Sequence, residues 1–194
     1  MRAADPACVQ AAQDRSPKAI PPGWRNPVPR GRYDLLVVGA GPAGLVAART
    51  AAAAGAKVAL VEGRQIGGNC IHEGCIPSKT LIRSASLYAD MRDAAEFGVQ
   101  APTDIAVDFG AAMARVQRIR VRLGRTISPA VLTAEGIDLH FGYARFVGPD
   151  AVEVAGSTLR FKKALIATGS RPVWPQIDGL AEAGFLNNET VFDL

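Results

Sequence analysis

The chain has 194 residues, 48% hydrophobic, 21% charged and 6% aromatic, a composition of a globular protein of one or two domains that excludes collagen-like, mucin-like and wholly disordered readings. Its net charge of +4 resides in the first 32 positions, which hold six of the 22 basic and two of the 18 acidic residues. Beyond them the charges balance, so the body has no footprint of a nucleic-acid binder. The longest uncharged apolar run, Leu35 to Ala48, holds three glycines and a proline and is shorter than the roughly 20 residues a bilayer requires. Without an apolar secretory core near the N-terminus, a cytoplasmic location is expected.

Six prolines fall within residues 1–32, where no apolar periodicity is found, and the segment reads as an extended leader with Cys8 as an idle thiol. The globular part is expected to start at Tyr33. Asp34 to Val38 is a β-branched run suited to a strand buried on both faces. Ala43 to Ala54 is a helix by alanine content, Gly55 its cap, and Lys57 to Val61 a second strand. A strand, helix and strand of these lengths make a βαβ unit and hence a parallel sheet.

Cys75 to about Arg92 reads as a helix, and so does Asp108 to about Ala134. In the latter Phe109, Met113, Val116 and Leu123 recur opposite Arg115, Arg118, Arg122 and Arg125, an arginine stripe read as a solvated face. Ile137 to Phe146, Ala151 to Val154 and Leu159 to Thr168 are expected strands, with a turn at Gly148-Pro149-Asp150. The fold class is therefore α/β: a Rossmann-like parallel sheet with flanking helices and a small β-meander.

Gly39-Ala40-Gly41-Pro42-Ala43-Gly44 fits G-x-G-x-x-G between a strand and a helix. Gly39 makes the tight turn, Gly41 lets backbone approach a pyrophosphate, and Gly44 lets helix and strand pack closely. The helix N-terminus offers free N–H groups to phosphates. Glu62, 18 residues on, is placed to accept hydrogen bonds from an adenosine ribose. The alternative is a glycine-rich packing turn with no ligand, and the fingerprint alone does not separate FAD from NAD.

Cys70 and Cys75 lie five residues apart, about 7.5 Å along a regular helix axis, beyond the roughly 4.4–6.8 Å between α-carbons that a disulfide tolerates. If they pair, the backbone between them is not regular helix; Gly74 is the place for a distortion, and Pro77 fits the next helix's first turn. A helix N-terminus and Lys79 one turn on favour a reactive thiol. Two inert thiols, or a metal site of Cys70, His72 and Cys75 lacking a fourth ligand, are the alternatives.

Together, the glycine fingerprint, the acid after the second strand and Gly67-Gly68-Asn69-Cys70-x4-Cys75-Ile76-Pro77-Ser78-Lys79 closely resemble the FAD-containing pyridine nucleotide-disulfide oxidoreductases, among them dihydrolipoamide dehydrogenase, glutathione reductase and mercuric reductase. Gly142-Tyr143-Ala144-Arg145-Phe146 is similar to the family segment that meets adenine through its backbone. Ala167-Thr168-Gly169 is similar to the strand end beside FAD. The resemblance implies a relay from NAD(P)H through FAD to a Cys70–Cys75 disulfide and on to a thiol, disulfide or metal-ion substrate. It implies Cys75 as the flavin-side thiol, Cys70 as the interchange thiol and Lys79 beside the flavin. FAD would be held by Gly39, Gly41, Pro42, Ala43, Gly44, Glu62, Gly68, Asn69, Cys70, Lys79, Gly142, Ala144, Ala167, Thr168 and Gly169, with no resident metal.

Pro21-Pro22-Gly23-Trp24-Arg25-Asn26-Pro27 and Asn188-Glu189-Thr190-Val191-Phe192 look most like mercuric reductase-like members, with a dihydrolipoamide dehydrogenase-like enzyme as the alternative. The resemblance covers Tyr33 to Leu194, the N-terminal part of an FAD domain. The nicotinamide and dimerisation domains of the family are not found, so the expectation is an incomplete copy, inactive alone, or half of a split enzyme whose second chain supplies them; a homodimer is expected of a full-length member. A non-catalytic nucleotide- or partner-binding module is the remaining alternative. His72 and Glu73 depart from the family, and an acid between the cysteines is expected to oppose the thiolate.

Overall fold

The computed structural model describes residues 20–102 and 104–194. Six strands form one sheet in the order β3-β2-β1-β6-β5-β4. The βαβ unit is β1 (Arg32–Val38), α1 (Pro42–Ala53) and β2 (Val58–Glu62). β1 pairs in parallel with both β2 and β6 (Ser157–Ile166), and β2 in parallel with β3 (Ile137–Phe141). β4 (Arg145–Gly148), β5 (Ala151–Val154) and the start of β6 make the antiparallel meander.

The sheet is apolar on both faces because helices cover one and the meander the other. Val37, Leu45, Ala48, Leu60, Leu132 and Leu139 join one core cluster; Tyr33, Leu36, Val61, Val152, Leu159 and Phe161 join the second. All five residues of β2 are buried, as expected of a central parallel strand. β5 pairs only with Ser157 to Arg160 of β6, whereas β1 follows β6 to Ile166; Leu165 and Ile166 stay exposed.

The cysteines lie on two helices, α2 (Gly68–His72) and α3 (Cys75–Arg92). Gly74, at φ −152° and ψ −104°, breaks the path between them, so the backbone from Cys70 to Cys75 is indeed irregular. Pro77 sits in the first turn of α3, where its missing N–H costs nothing.

Sequence expectations change in the helices and strands. The single helix expected over Asp108 to Ala134 is two, α4 (Phe109–Arg125) and α5 (Pro129–Ala134). Proline cannot continue a helix interior but suits a first turn, and Ser128 caps the new helix by accepting from Val131 N–H at 3.4 Å. Phe109, expected on the buried face of α4, is half exposed; Met113 and Val116 carry the burial. The strand expected over Ile137 to Phe146 is also two, because Gly142 at φ +143° turns the chain away from β3 into the meander.

Residues 1–19 of the expected leader, including Cys8, lie outside the described residues; part of the remainder makes contacts with the sheet. Trp24 packs on the first core cluster and meets Phe141 edge to face at 5.4 Å. Asn26 Nδ2 donates to Phe141 O at 2.9 Å, and Phe141 N–H donates to Asn26 Oδ1 at 2.8 Å. One side chain thus does for Phe141 what a neighbouring strand would do. Among the described residues no helix is long and apolar enough to cross a membrane.

Candidate functional site

The carboxyl ends of β1, β2 and β6 meet at one edge, the location of ligand crevices in open parallel sheets. Gly39 leaves β1 at φ +104°, and a Cβ there would stand 2.3 Å from Ala167 O and 3.1 Å from Thr168 N. A Cβ on Gly44 would fall 1.8 Å from Gly39 O. Both glycines are demanded by close backbone approach. Gly41 differs, since nothing lies within 4 Å of a Cβ built there. Its bare backbone, with Pro42 and Ala43 opening α1, leaves room before the helix N-terminus for a phosphate.

Glu62, buried at the end of β2, is held by backbone: its Oε2 accepts from Ala40 N–H at 2.7 Å and its Oε1 from Arg64 N–H at 2.6 Å. Each oxygen keeps a further lone pair for a ribose hydroxyl. Gly142 N–H donates to Glu62 O at 2.9 Å, bringing the Gly142–Ala144 turn to the same place, with Ala144 against the second core cluster. The exposed ring of Tyr143 lies against Gly63, a neighbour that the glycine spacing alone does not reveal.

The cysteine helices sit on this turn. Gly67 N–H donates to Ala40 O at 2.8 Å, and a Cβ on Gly68 would stand 3.0 Å from Gly41 Cα. Asn69 Nδ2 donates to Ser170 O at 2.9 Å, tying α2 to the segment after β6, where Ala167 N–H bonds Val38 O and Gly169 adopts φ +72°. These contacts link Gly39 to Gly44, Glu62, Gly68, Asn69, Gly142 and Ala167 to Ser170 at the carboxyl edge of the sheet.

Cys70 and Cys75 are free thiols, Cys70 half-buried and Cys75 exposed. They flank the irregular corner at Gly74, near enough for each to feel the other's titration. Burial pushes the Cys70 thiol up, the Cys75 thiol adds to this, and the Lys79 ammonium opposes it. Neither histidine supplies a base by hydrogen bonding to the pair: His72 Nε2 meets Ile66 O at 2.9 Å, and His140 is fully buried with no partner for either ring nitrogen among the described residues. Burial pulls both imidazoles below their ordinary value. No group of three or more metal-ligating side chains gathers among the described residues.

The Glu73 carboxylate turns to Arg64, 3.3 Å away. Arg64 also faces Glu189 at 3.8 Å, and Glu189 takes two bonds from Arg171 at 3.1 and 3.2 Å. Arg64 belongs to no motif, and the pairing of Glu189 with it is revealed only by the fold.

Comparison with known proteins supplies the family. The model of the pyridine nucleotide-disulphide oxidoreductases matches residues 33–193. The chain belongs to this family. Its relatives include a dihydrolipoyl dehydrogenase of Acholeplasma laidlawii, 37% identical over 78% of this chain and 45% of the relative, and a mercuric reductase of Lysinibacillus sphaericus, 35% identical over 84% and 30%. A glutathione reductase of Burkholderia cepacia is 34% identical over 84% and 35%. The chain thus spans about a third to just under half the length of these relatives.

Proposed function

We propose that this chain is the flavin- and disulfide-bearing part of an NAD(P)H-dependent disulfide reductase. The observation that supports it best is the seating of the cysteine corner on the dinucleotide turn, Gly67 N–H on Ala40 O and Gly68 against Gly41. Neither inert thiols nor a packing turn requires that contact.

The residues fit FAD: Gly41 is bare toward open space, Glu62 is pre-aligned by two backbone N–H groups, and the α1 N-terminus complements a pyrophosphate. FAD, when bound, supplies two-electron chemistry between NAD(P)H and a disulfide. The chain supplies placement. Two electrons and two protons break the Cys70–Cys75 sulfur–sulfur bond and leave two thiols. With a disulfide substrate, Cys70 then attacks one substrate sulfur, releasing the other as a thiol, and Cys75 resolves the mixed disulfide, releasing the second thiol and regenerating the bond. Because burial and Cys75 hold the proton on Cys70, Lys79 is the group that favours its thiolate.

For substrate, a mercuric reductase-like enzyme remains the preferred reading and a dihydrolipoamide dehydrogenase-like one the alternative. Relatives of both names match almost equally, at 35% and 37% identity. The two stretches that resemble mercuric reductases have scaffold roles here: Trp24 and Asn26 brace β3, and Phe192 is buried with its carbonyl accepting from Gln117. They therefore speak for ancestry more than for substrate.

The test is an absorbance spectrum of the purified chain with added FAD, followed by anaerobic dithiothreitol titration. Retained flavin and a long-wavelength band on two-electron reduction, lost in Cys75→Ser, are expected. No retained flavin, or a band indifferent to Cys75, overturns the reading.

A further inference from the structure

Glu73 stands one residue from the break at Gly74 and is nearly fully buried, with no hydrogen-bond partner for Oε2 among the described residues. A buried, half-satisfied carboxylate is costly, so its retention at the bend between two reactive thiols calls for a function. Its partner connects three parts of the fold. The Arg64 backbone N–H is bound by Glu62, the nucleotide-side acid, and the Arg64 guanidinium faces both Glu73 and Glu189. Glu189 is in turn gripped by Arg171 just after β6, and its segment is pinned to α4 by Gln117 on Phe192 O and Arg120 on Asp193.

We propose that Glu73 is a positioning residue that, through Arg64, clamps the cysteine corner between the end of β2 and the segment bearing Glu189, keeping the Cys70 and Cys75 sulfurs in register for disulfide exchange. The proposal rests on the reading of Cys70 and Cys75 as a redox pair. Holding two thiols near each other across a fixed corner raises their effective concentration toward each other, and loosening the clamp lowers it.

The clamp responds to protons. The groups facing Glu73 are Arg64 after β2, Glu189 near the C-terminus, Arg171 after β6 and Arg120 on α4. Burial pushes the Glu73 carboxyl above its ordinary value; Arg64, Arg171 and Arg120 pull it down, and Glu189 pushes it up. Above its titration Glu73 is charged and the clamp holds; below it the ion pair with Arg64 is lost.

The experiment equilibrates the full chain, in a Cys8→Ser background, with glutathione buffers. The reaction is dithiol plus oxidised glutathione giving the Cys70–Cys75 disulfide plus two reduced glutathiones. Where protein and glutathione thiols are all protonated its equilibrium constant is flat with pH unless a nearby group is linked to it. The expected wild-type constant falls about fivefold on acidification through the Glu73 titration, the scale of one partly buried ion pair. Glu73→Gln holds the low value throughout. Glu189→Gln, which removes the neighbouring negative charge, moves the inflection to lower pH, and this arm stands even where Glu73→Gln folds poorly. His72→Asn leaves the inflection in place and excludes the adjacent imidazole. If wild-type chain forms no intramolecular disulfide, the redox reading and the clamp both fall. If it does, but Glu73→Gln matches it at every pH or Glu189→Gln leaves the inflection unmoved, the clamp alone is refuted.

Discussion

Alanine at Gly44 and at Gly41 separates packing from ligand binding within one six-residue turn. At Gly44 the new Cβ would sit 1.8 Å from Gly39 O, against a floor of 3.0 Å for real contacts, and 3.2 Å from Val37 Cγ1. Helix α1 must therefore retreat by about 1.2 Å from the turn that it caps. Overpacking of this kind costs about 1–3 kcal/mol, and a clash with backbone, which cannot change rotamer, belongs near the upper end. The gain in helix propensity returns about 1 kcal/mol, leaving a net loss of about 2 kcal/mol. With a urea dependence of about 2 kcal/mol per molar, the midpoint falls by about 1 M. At Gly41, φ is −72° and nothing obstructs the methyl, so alanine raises stability by about 0.4–1 kcal/mol through the unfolded state. That methyl intrudes on the approach to the pyrophosphate, and FAD affinity is expected to drop at least about tenfold, about 1.4 kcal/mol. Urea denaturation followed by circular dichroism and flavin fluorescence titration read the two effects. A Gly44→Ala chain as stable as wild type, or a Gly41→Ala chain that binds FAD undiminished, would refute the assignment of these glycines.

Two further outcomes concern stability. His140 is fully buried with neither ring nitrogen partnered among the described residues, and burial lowers its pKa, with Asp138 opposing. The unfolded chain therefore takes up a proton at His140 below about pH 6.5 while the folded chain resists it, and stability declines on acidification from there; His140→Leu is expected to flatten that decline and to be neutral or stabilising at pH 8 in urea titrations, and an unchanged pH slope would count against it. Asn26→Ala strips both backbone groups of Phe141 of their partner, a loss of about 1–3 kcal/mol, and an unmoved urea midpoint would show that the contact contributes nothing.

The sequence discloses what depends on local pattern. The βαβ unit, the glycine turn and the irregular corner at Gly74 follow from strand period, alanine content and the reach of a disulfide, and all three stand in the structure. Periodicity carried through Pro129 and Gly142 hid a helix boundary and a strand boundary, since a side-chain pattern can persist across a break in the backbone. Glu73 shows a different limit. Its charge was legible but its direction was not, because the arginine that receives it belongs to another strand's end and the glutamate behind that arginine lies more than a hundred residues away in sequence. Trp24 and Asn26 were hidden among prolines, whose density argues for an extended segment without saying whether that segment docks.

The docking of Asn26 leaves the sheet with unequal borders. At Phe141 a side chain occupies the hydrogen-bonding groups on which a foreign strand would register, so recruitment at that flank is blocked where β3 ends. Past Phe161, whose N–H bonds Asp150 O and whose carbonyl accepts from Arg32, β6 has no strand opposite β1 among the described residues, and Leu165 and Ile166 are exposed. Strand addition to this domain is consequently directional: the β3 border is sealed at Phe141 by a single amide, and the stretch of β6 that runs beyond β5 is open to growth.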